Sequence, residues 1–292
     1  MNIISKSFFN SLFKLHTNCK SFSSRNILEV LAVIENIKNV VRIPIKNNEW
    51  KYLKEFCKKN KLSICHSNFK ISVIRRTSLG DVFTENVTWE SKSSSIIGFV
   101  AYIALTEELA QKASTLESSA DSFQLGKLYQ YPKCCVKSYS KHIEEGKYWL
   151  DLLLKNSKGY NHSLFSNKIA YLIDETSIIP DYFPCSLNCR DTISIGKDYK
   201  NMLIKNKLDS HYDLIKNKLI RPIIIGDGVL FQLKKQSPIV KLKDCNTFIW
   251  KNKNYNNLEM KKIDFLDVDQ DNHKVYLNDN FFGRLYQFKE YL

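Results

Sequence analysis

"SIIGFVAYIALTEELAQKASTLES", residues 95–118, is the stretch at which this chain changes character. Its first eleven residues, Ser95 to Leu105, form an apolar run of strand length, short of the ~18 residues a membrane span requires. Thr106 then has the character of an N-cap, and Glu107 and Glu108 fall in a first helical turn, where the helix dipole favours acids. A strand thus hands over directly to a helix, and the two sides of this junction read differently.

On the N-terminal side, Asn26 to Asn36 carries helical spacing, with Ile27, Val30, Leu31 and Ile34 on one face. "NVVRIPI" (39–45) reads as a strand. "NNEWKYLKEFCKKN" (47–60) reads as a helix with Trp50, Leu53, Phe56 and Cys57 at helical spacing, which makes Cys57 a small core residue. "LSICHSNFKISVIRR" (62–76) alternates and is β-branched, so it is a strand or hairpin in which Cys65 and His66 point to opposite faces. "DVFTENVTWE" (81–90) is a further strand. This predicts an αβ region of about four strands over 29–105.

On the C-terminal side, residues 106–218 are mostly helical by period. Beyond "NKLIRP" the pattern changes again. "PIIIGDGVLFQL" carries a hairpin turn, Gly226-Asp227-Gly228, between apolar runs, and short alternating segments follow. The fold class is therefore α+β: an N-terminal basic amphipathic segment (1–28), the αβ region (29–105), a central helical module (106–218) and a small all-β unit (219–292).

The chain has 292 residues and a formal net charge of +14. Such a balance marks either a nucleic-acid or anionic-surface partner, or a Lys-rich solvated surface of the kind A/T-rich codons produce. Lysine far outnumbers arginine and recurs along the whole chain, which favours the second reading. The first 28 residues contain no acid, as in an organellar transit peptide, but are poor in Arg. The plainer expectation is an amphipathic helix with Phe8, Phe9, Leu12 and Phe13 on its apolar side. No continuous apolar core of a secretory signal is present, so the expected compartment is the reducing cytoplasm, with no membrane partner.

In that compartment clustered cysteines bind metal or do redox work more often than they form structural disulfides. Four of the eight cysteines fall in two proline-led pairs: "YPKCC" (131–135) and "FPCSLNC" (183–189). Pro132 suits the entry to a helix, which would place Cys134 and Cys135 in a first turn, where exposed N–H groups favour the thiolate. Adjacent helical residues diverge by about 100°, so both can reach one ion only at an irregular helix start. Cys185 and Cys189 have the i, i+4 spacing that shares one face of a helix. The spacing CC-x49-CxxxC is not a standard zinc pattern. Three readings stay open: a four-Cys zinc or iron–sulfur site, a metal-free redox thiol system, and four buried cysteines that pack helices. Cys135, Tyr139 and His142 share one helical face, so Tyr139 and His142 are the candidate catalytic groups, with His142 open as a ligand, an acid–base group or a surface histidine. Arg190 and Asp191 are candidate outer-shell partners, and His162 sits in a loop without a motif.

The residues Gly126, Lys127, Leu128, Tyr131, Pro132, Cys134, Cys135, Val136 and Tyr139, followed by Tyr182, Phe183, Pro184, Cys185 and Cys189, resemble the motif of an uncharacterised prokaryotic domain family. The resemblance covers residues 95 to 205. It implies a YPxCC…FPCxxxC signature, a histidine where this chain has Tyr182, and no established activity. A weaker similarity is to the cysteine-rich domain of heterodisulfide reductases, in which a vicinal Cys pair helps hold an iron–sulfur centre. Here Val136 follows the pair and the second pair is CxxxC, so this chain departs from it.

Other signals are weak. "DVDQDN" (267–272) lacks the glycine and the final Glu of a calcium loop, and "IGDGV" is followed by no Gly-Lys-Ser/Thr. The aromatics of the C-terminal unit, among them Trp250, Tyr255, Tyr286 and Phe288, are interleaved with Lys and would serve as a core or as a base-stacking surface. The leading expectation is a cytoplasmic metal-binding protein with Cys134, Cys135, Cys185 and Cys189 as ligands of zinc or an iron–sulfur cluster. A biosynthetic or modifying activity on an unknown small molecule or peptide would accompany it. The alternatives are a basic nucleic-acid-binding accessory protein with a structural Cys site, and an interaction scaffold with inert thiols.

Overall fold

The β-branched segments around residue 95 pair into one antiparallel sheet. The structure, a computed structural model, describes residues 6–76, 82–88, 96–145, 149–174, 178, 182–226, 229–233, 239–241, 246–249, 265–269, 274–277 and 280–290. The chain divides into two compact units, residues 1–146 with 204–207, and residues 147–203 with 208–292. The class is α+β, as the sequence indicates.

In the first unit, helices α1 (Lys6–Asn18) and α2 (Ser24–Ile34) precede strand β1 (Val40–Ile45) and helix α3 (Trp50–Lys59). Strands β2 (Ser63–Arg76), β3 (Val82–Val87) and β4 (Ile96–Ala104) complete a four-stranded sheet in the order β1-β4-β2-β3. β4 is central and apolar on both faces, with Phe99 to Ala104 buried, and pairs antiparallel with β1 and β2. Helix α4 (Glu107–Ser118) follows at once, capped by Thr106, whose hydroxyl accepts from the Leu109 N–H. It lays Ala110 and Ala113 on the sheet beside Val40, Val100 and Tyr102. Cys57 is fully buried, as its helical spacing predicts.

α1 departs from expectation in one residue. Phe8, Leu12 and Leu15 are buried, whereas Phe13 is 52 % exposed, because the buried face follows the 8-12-15 line of the helix. Removing this segment would uncover Phe56, whose ring lies 5.6 Å from that of Phe8.

Two short helices end the unit, α5 (Ser122–Leu128) and α6 (Lys133–Glu145). A Cβ on Gly126 would meet Val136 Cγ2 at 2.6 Å, so only glycine lets α5 approach α6 this closely. Gln130 turns the chain between them at φ +60°.

The second unit begins with α7 (Trp149–Asn156), strand β5 (Asn161–Ser163) and α8 (Ile169–Asp174), then α9 (Arg190–Lys205) and α10 (Asp209–Leu219). Strands β6 (Ile223–Gly226), β7 (Val229–Gln232), β8 (Ile239–Lys241), β9 (Asn246–Ile249), β10 (Phe265–Asp269), β11 (Lys274–Leu277) and β12 (Asn280–Lys289) build the C-terminal sheet. β6 and β7 pair as the hairpin pattern predicts. The sheet also recruits β5 from the middle of the chain, which runs parallel to the end of β12. Glu290, just past β12, accepts hydrogen bonds from Lys200 Nζ of α9 and Tyr212 OH of α10, both at 2.6 Å, and pairs with Lys216. These donors hold its carboxyl down at about 2 against the opposing effect of burial. Trp250, Tyr255 and residues 270–273 of the "DVDQDN" segment lie outside the described residues. No helix among the described residues is long and apolar enough to cross a membrane.

Candidate metal centre

The first cysteine pair sits where its proline predicts. Pro132 is buried, and its carbonyl accepts from the N–H of Cys135 (2.9 Å) and of Val136 (3.0 Å), so the proline itself opens α6. The lead-in is anchored from below by a buried ion pair between Lys38 and Glu29. The Lys38 ammonium lies 5.6 Å and 5.3 Å from the ring centres of Tyr129 and Tyr131. These rings precede Pro132 in sequence, so a desolvated cation and two aromatic faces fix the turn that leads into the helix. At this entry the two sulfurs lie 3.9 Å apart, close together but far beyond the ~2.05 Å of a disulfide.

The second pair is arranged differently from expectation. Cys185 and Cys189 are not on a helix. Residues 182–189 form a loop that turns at Leu187 and Asn188, and α9 starts only at Arg190. Cys189 stands at the N-cap, its carbonyl accepting from the Ile193 N–H at 3.0 Å. Four side chains hold this loop. Ser157 Oγ accepts from the Leu187 N–H (2.8 Å), Ser166 Oγ donates to the Leu187 carbonyl (2.6 Å), and Asn188 Oδ1 accepts from the Lys158 N–H (3.0 Å). Asn156 Nδ2 donates to the Cys185 carbonyl at 3.1 Å. Upstream, Phe183 stacks on Trp149 with ring centres 4.2 Å apart. Tyr182 is buried and its hydroxyl donates to Thr192 Oγ1 at 3.3 Å. A Cβ on Gly196 would meet Phe165 Cβ at 2.6 Å, so glycine again permits the close approach that seats α9.

The sulfurs of Cys134, Cys135, Cys185 and Cys189 all lie within 4.8 Å of one another. Four thiolates in that arrangement could hold a metal ion. A tetrahedral ion with arms of about 2.3 Å spaces its sulfurs by about 3.8 Å, a value the group can reach by small side-chain rotations. Cys135 and Cys189 are buried, Cys185 is half-buried and Cys134 is exposed, so the group is open to solvent at one corner. Lys168 is a buried cation near the second loop, over the rings of Tyr171 (4.3 Å) and Phe183 (5.8 Å). This places a positive charge beside Phe183, two residues before Cys185.

The remaining candidates are not gathered in the same way. Tyr139 is 40 % exposed on α6, and the side chain of His142 lies outside the described residues. Arg190 and Asp191 are both exposed. His162 is buried, its Nε2 against the Gly159 carbonyl (3.1 Å) and its ring stacked on Tyr286, and burial lowers its pKa. By contrast Cys19 and Cys57, two of the four cysteines outside the pairs, are buried in the core. Burial, with the Glu49 carboxylate adding to it, pushes Cys19 up to about 11, and burial alone pushes Cys57 up to about 12. The residues that sequence reading missed are Ser157, Ser166 and Asn188, whose partners are about 20 to 30 positions away, and Gly196; Gly126 stands in the motif, without its packing reason.

Residues 106–220 match a family described as a protein of unknown function, DUF483. That segment contains both cysteine pairs. A relative, an uncharacterised protein of Methanocaldococcus jannaschii, is 35 % identical over 98 residues, 33 % of this chain and 48 % of its own length. The chain thus spans about half the length of the curated relative it matches. No solved structure matches the chain.

Proposed function

We propose that the protein binds metal through a closed four-thiolate site, and that Cys134, Cys135, Cys185 and Cys189 hold one zinc ion. The observation that carries this reading is the convergence of four sulfurs within 4.8 Å from positions up to 55 residues apart. Inert core thiols have no reason to bring four sulfurs this close together, one of them at the exposed Cys134. The small spread favours a single ion over a polynuclear centre, because a four-iron cluster holds its thiolates about 6 Å apart. All four positions of such a site are protein ligands, so the ion lacks the open position that catalytic zinc keeps, and its contribution is folding energy. The reading therefore assigns the metal a structural role.

The test is metal and acid-labile sulfide analysis of the full chain purified without oxygen, together with its absorption spectrum. One zinc per chain in a colourless protein is the expected result. One iron without sulfide would keep the single-ion site and replace its occupant. Iron with stoichiometric sulfide would replace the single ion by a cluster, and a metal-free protein would overturn the reading.

A further inference from the structure

The basic charge of the chain is concentrated. Residues 1–28 hold four Lys and Arg and no acid, and residues 46–62 hold six Lys against two Glu. These two stretches therefore carry eight of the fourteen net charges, while residues 63–145 hold nine basic and nine acidic side chains and are neutral. The fold brings the two stretches together. α1 packs on α3 through Phe8 and Phe56, and Asn60 Nδ2 just past α3 donates to Ser11 Oγ at 3.3 Å. Between the helices runs an open cleft of about 550 Å³. α1 lends it Lys14, Asn10 and Asn18, and α3 lends it Lys59, Tyr52 and Glu55. Lys51, Lys54, Lys58 and Lys61 are exposed on or beside α3, and Glu49, the second acid of the two stretches, is buried. The outward field of this face is therefore positive, with one exposed carboxylate in it.

A basic amphipathic helix can also lie on a membrane, but it does so through its apolar face. Here Phe8, Leu12 and Leu15 are buried within the unit, so α1 keeps Phe13 as its single exposed large apolar side chain, too little for an apolar face that could lie on a membrane. Among the described residues of the C-terminal sheet, the aromatics Tyr286 and Phe288 are buried and offer no face for stacking bases. The two stretches that form the lysine-lined cleft carry eight of the fourteen net charges, which makes the cleft the candidate place for that charge to act.

We propose that the α1–α3 cleft binds the backbone of single-stranded RNA. Lysines on both helices neutralise phosphates, and the amides of Asn10 and Asn18 donate to phosphate and ribose oxygens. Glu55 would repel a phosphate, but its carboxylate accepts from a 2′-hydroxyl, which RNA has and DNA lacks. One face of Tyr52 is covered by the Lys51 ammonium, 4.8 Å from the ring centre, so the cleft follows the backbone and has little sequence preference.

The experiment is fluorescence anisotropy of an end-labelled 12-nucleotide RNA of mixed sequence with the full chain, titrated from low to moderate KCl. Binding should weaken with salt at a log–log slope of about −2 to −4, corresponding to roughly three to six phosphates. Reversing Lys14→Glu, Lys54→Glu and Lys59→Glu together should weaken binding at least tenfold and flatten the slope by about 2. Reversing the equally exposed Lys112, Lys155 and Lys289 to Glu should weaken it less than threefold. Glu55→Ala, which removes the acceptor, should erase the preference for RNA over DNA of the same sequence. Circular dichroism checks that each variant folds, and Lys→Gln at Lys14, Lys54 and Lys59 provides a milder set. The proposal is overturned by no binding at low salt, by equal losses in the two triple variants, by DNA binding as tightly as RNA, or by anionic vesicles binding where RNA does not.

Discussion

Cys57 and Cys135 are almost equally hidden from solvent, yet they belong to different kinds of place. Cys57 fills a gap on the apolar face of α3, and burial pushes its thiol up to about 12. Cys135 lies in the first turn of α6, beside three other sulfurs. The same holds for Cys19, a core thiol at about 11, against Cys189, an N-cap residue on a side-chain-stitched loop. Burial alone therefore does not separate a core cysteine from a ligand. What separates them is the backbone each sits on: mid-helix positions or apolar packing in one case, helix entries led by proline in the other.

Several experiments would break or sharpen this contrast. The largest effect should come from the cluster as a whole. Replacing all four paired cysteines by Ser should remove the metal and lower the thermal midpoint by more than 10 °C, since ligation energy is folding energy. Differential scanning calorimetry checks it, and an unchanged midpoint would place the pairs with the core thiols. The next effect is steric. Gly126→Ala or Gly196→Ala forces a methyl into contacts of 2.6 Å and should cost about 1–3 kcal/mol in urea unfolding, with weaker zinc retention against a chelator.

Cys57→Ser should cost a similar or smaller amount, about 1–2 kcal/mol, by burying a hydroxyl in an apolar site, but leave metal content unchanged. Mass spectrometry after native iodoacetamide treatment at pH 8 should likewise find Cys19 and Cys57 unmodified, while chelation exposes the paired thiols. Acid should then separate two losses. Thiolates of a metal site take up protons first and release the ion. Glu290 acts later: its folded pKa of about 2 lies below the ordinary 4.5, so its contribution is complete above pH 4.5 and is lost as pH falls toward 2. Glu290→Gln should remove only that second step from a pH-dependent melt. The smallest change is Lys168→Met, for which a fewfold faster zinc loss is expected with little change in stability, while Lys168→Arg keeps the wild-type rate.

The strands around residue 95 and the helix after Thr106 were legible because each is a local event: an apolar run, a cap, two acids in a first turn. The cysteine pairs were legible as a group because proline and thiol chemistry mark them in sequence. The helix predicted through Cys185 and Cys189 was not formed, since i, i+4 spacing cannot reveal that Ser157 and Ser166 hold Leu187 in a loop. Gly126 stood in the recognised motif, but its reason is the side chain of Val136 on the next helix, a tertiary fact. β5 escaped because three residues carry no period of their own. The lysines seemed dispersed in a linear reading, and only the packing of α1 on α3 makes them one surface.

The pairing of β5 with β12 also orders events in time. Gln287 meets Asn161 across more than a hundred intervening residues, whereas the first sheet closes entirely within residues 40–104. On the ribosome, the first sheet can assemble while the rest of the chain is still being made. The strand at Asn161–Ser163 must wait for its partner until residue 289 has been translated, so the second unit matures later and by the slower, long-range closure.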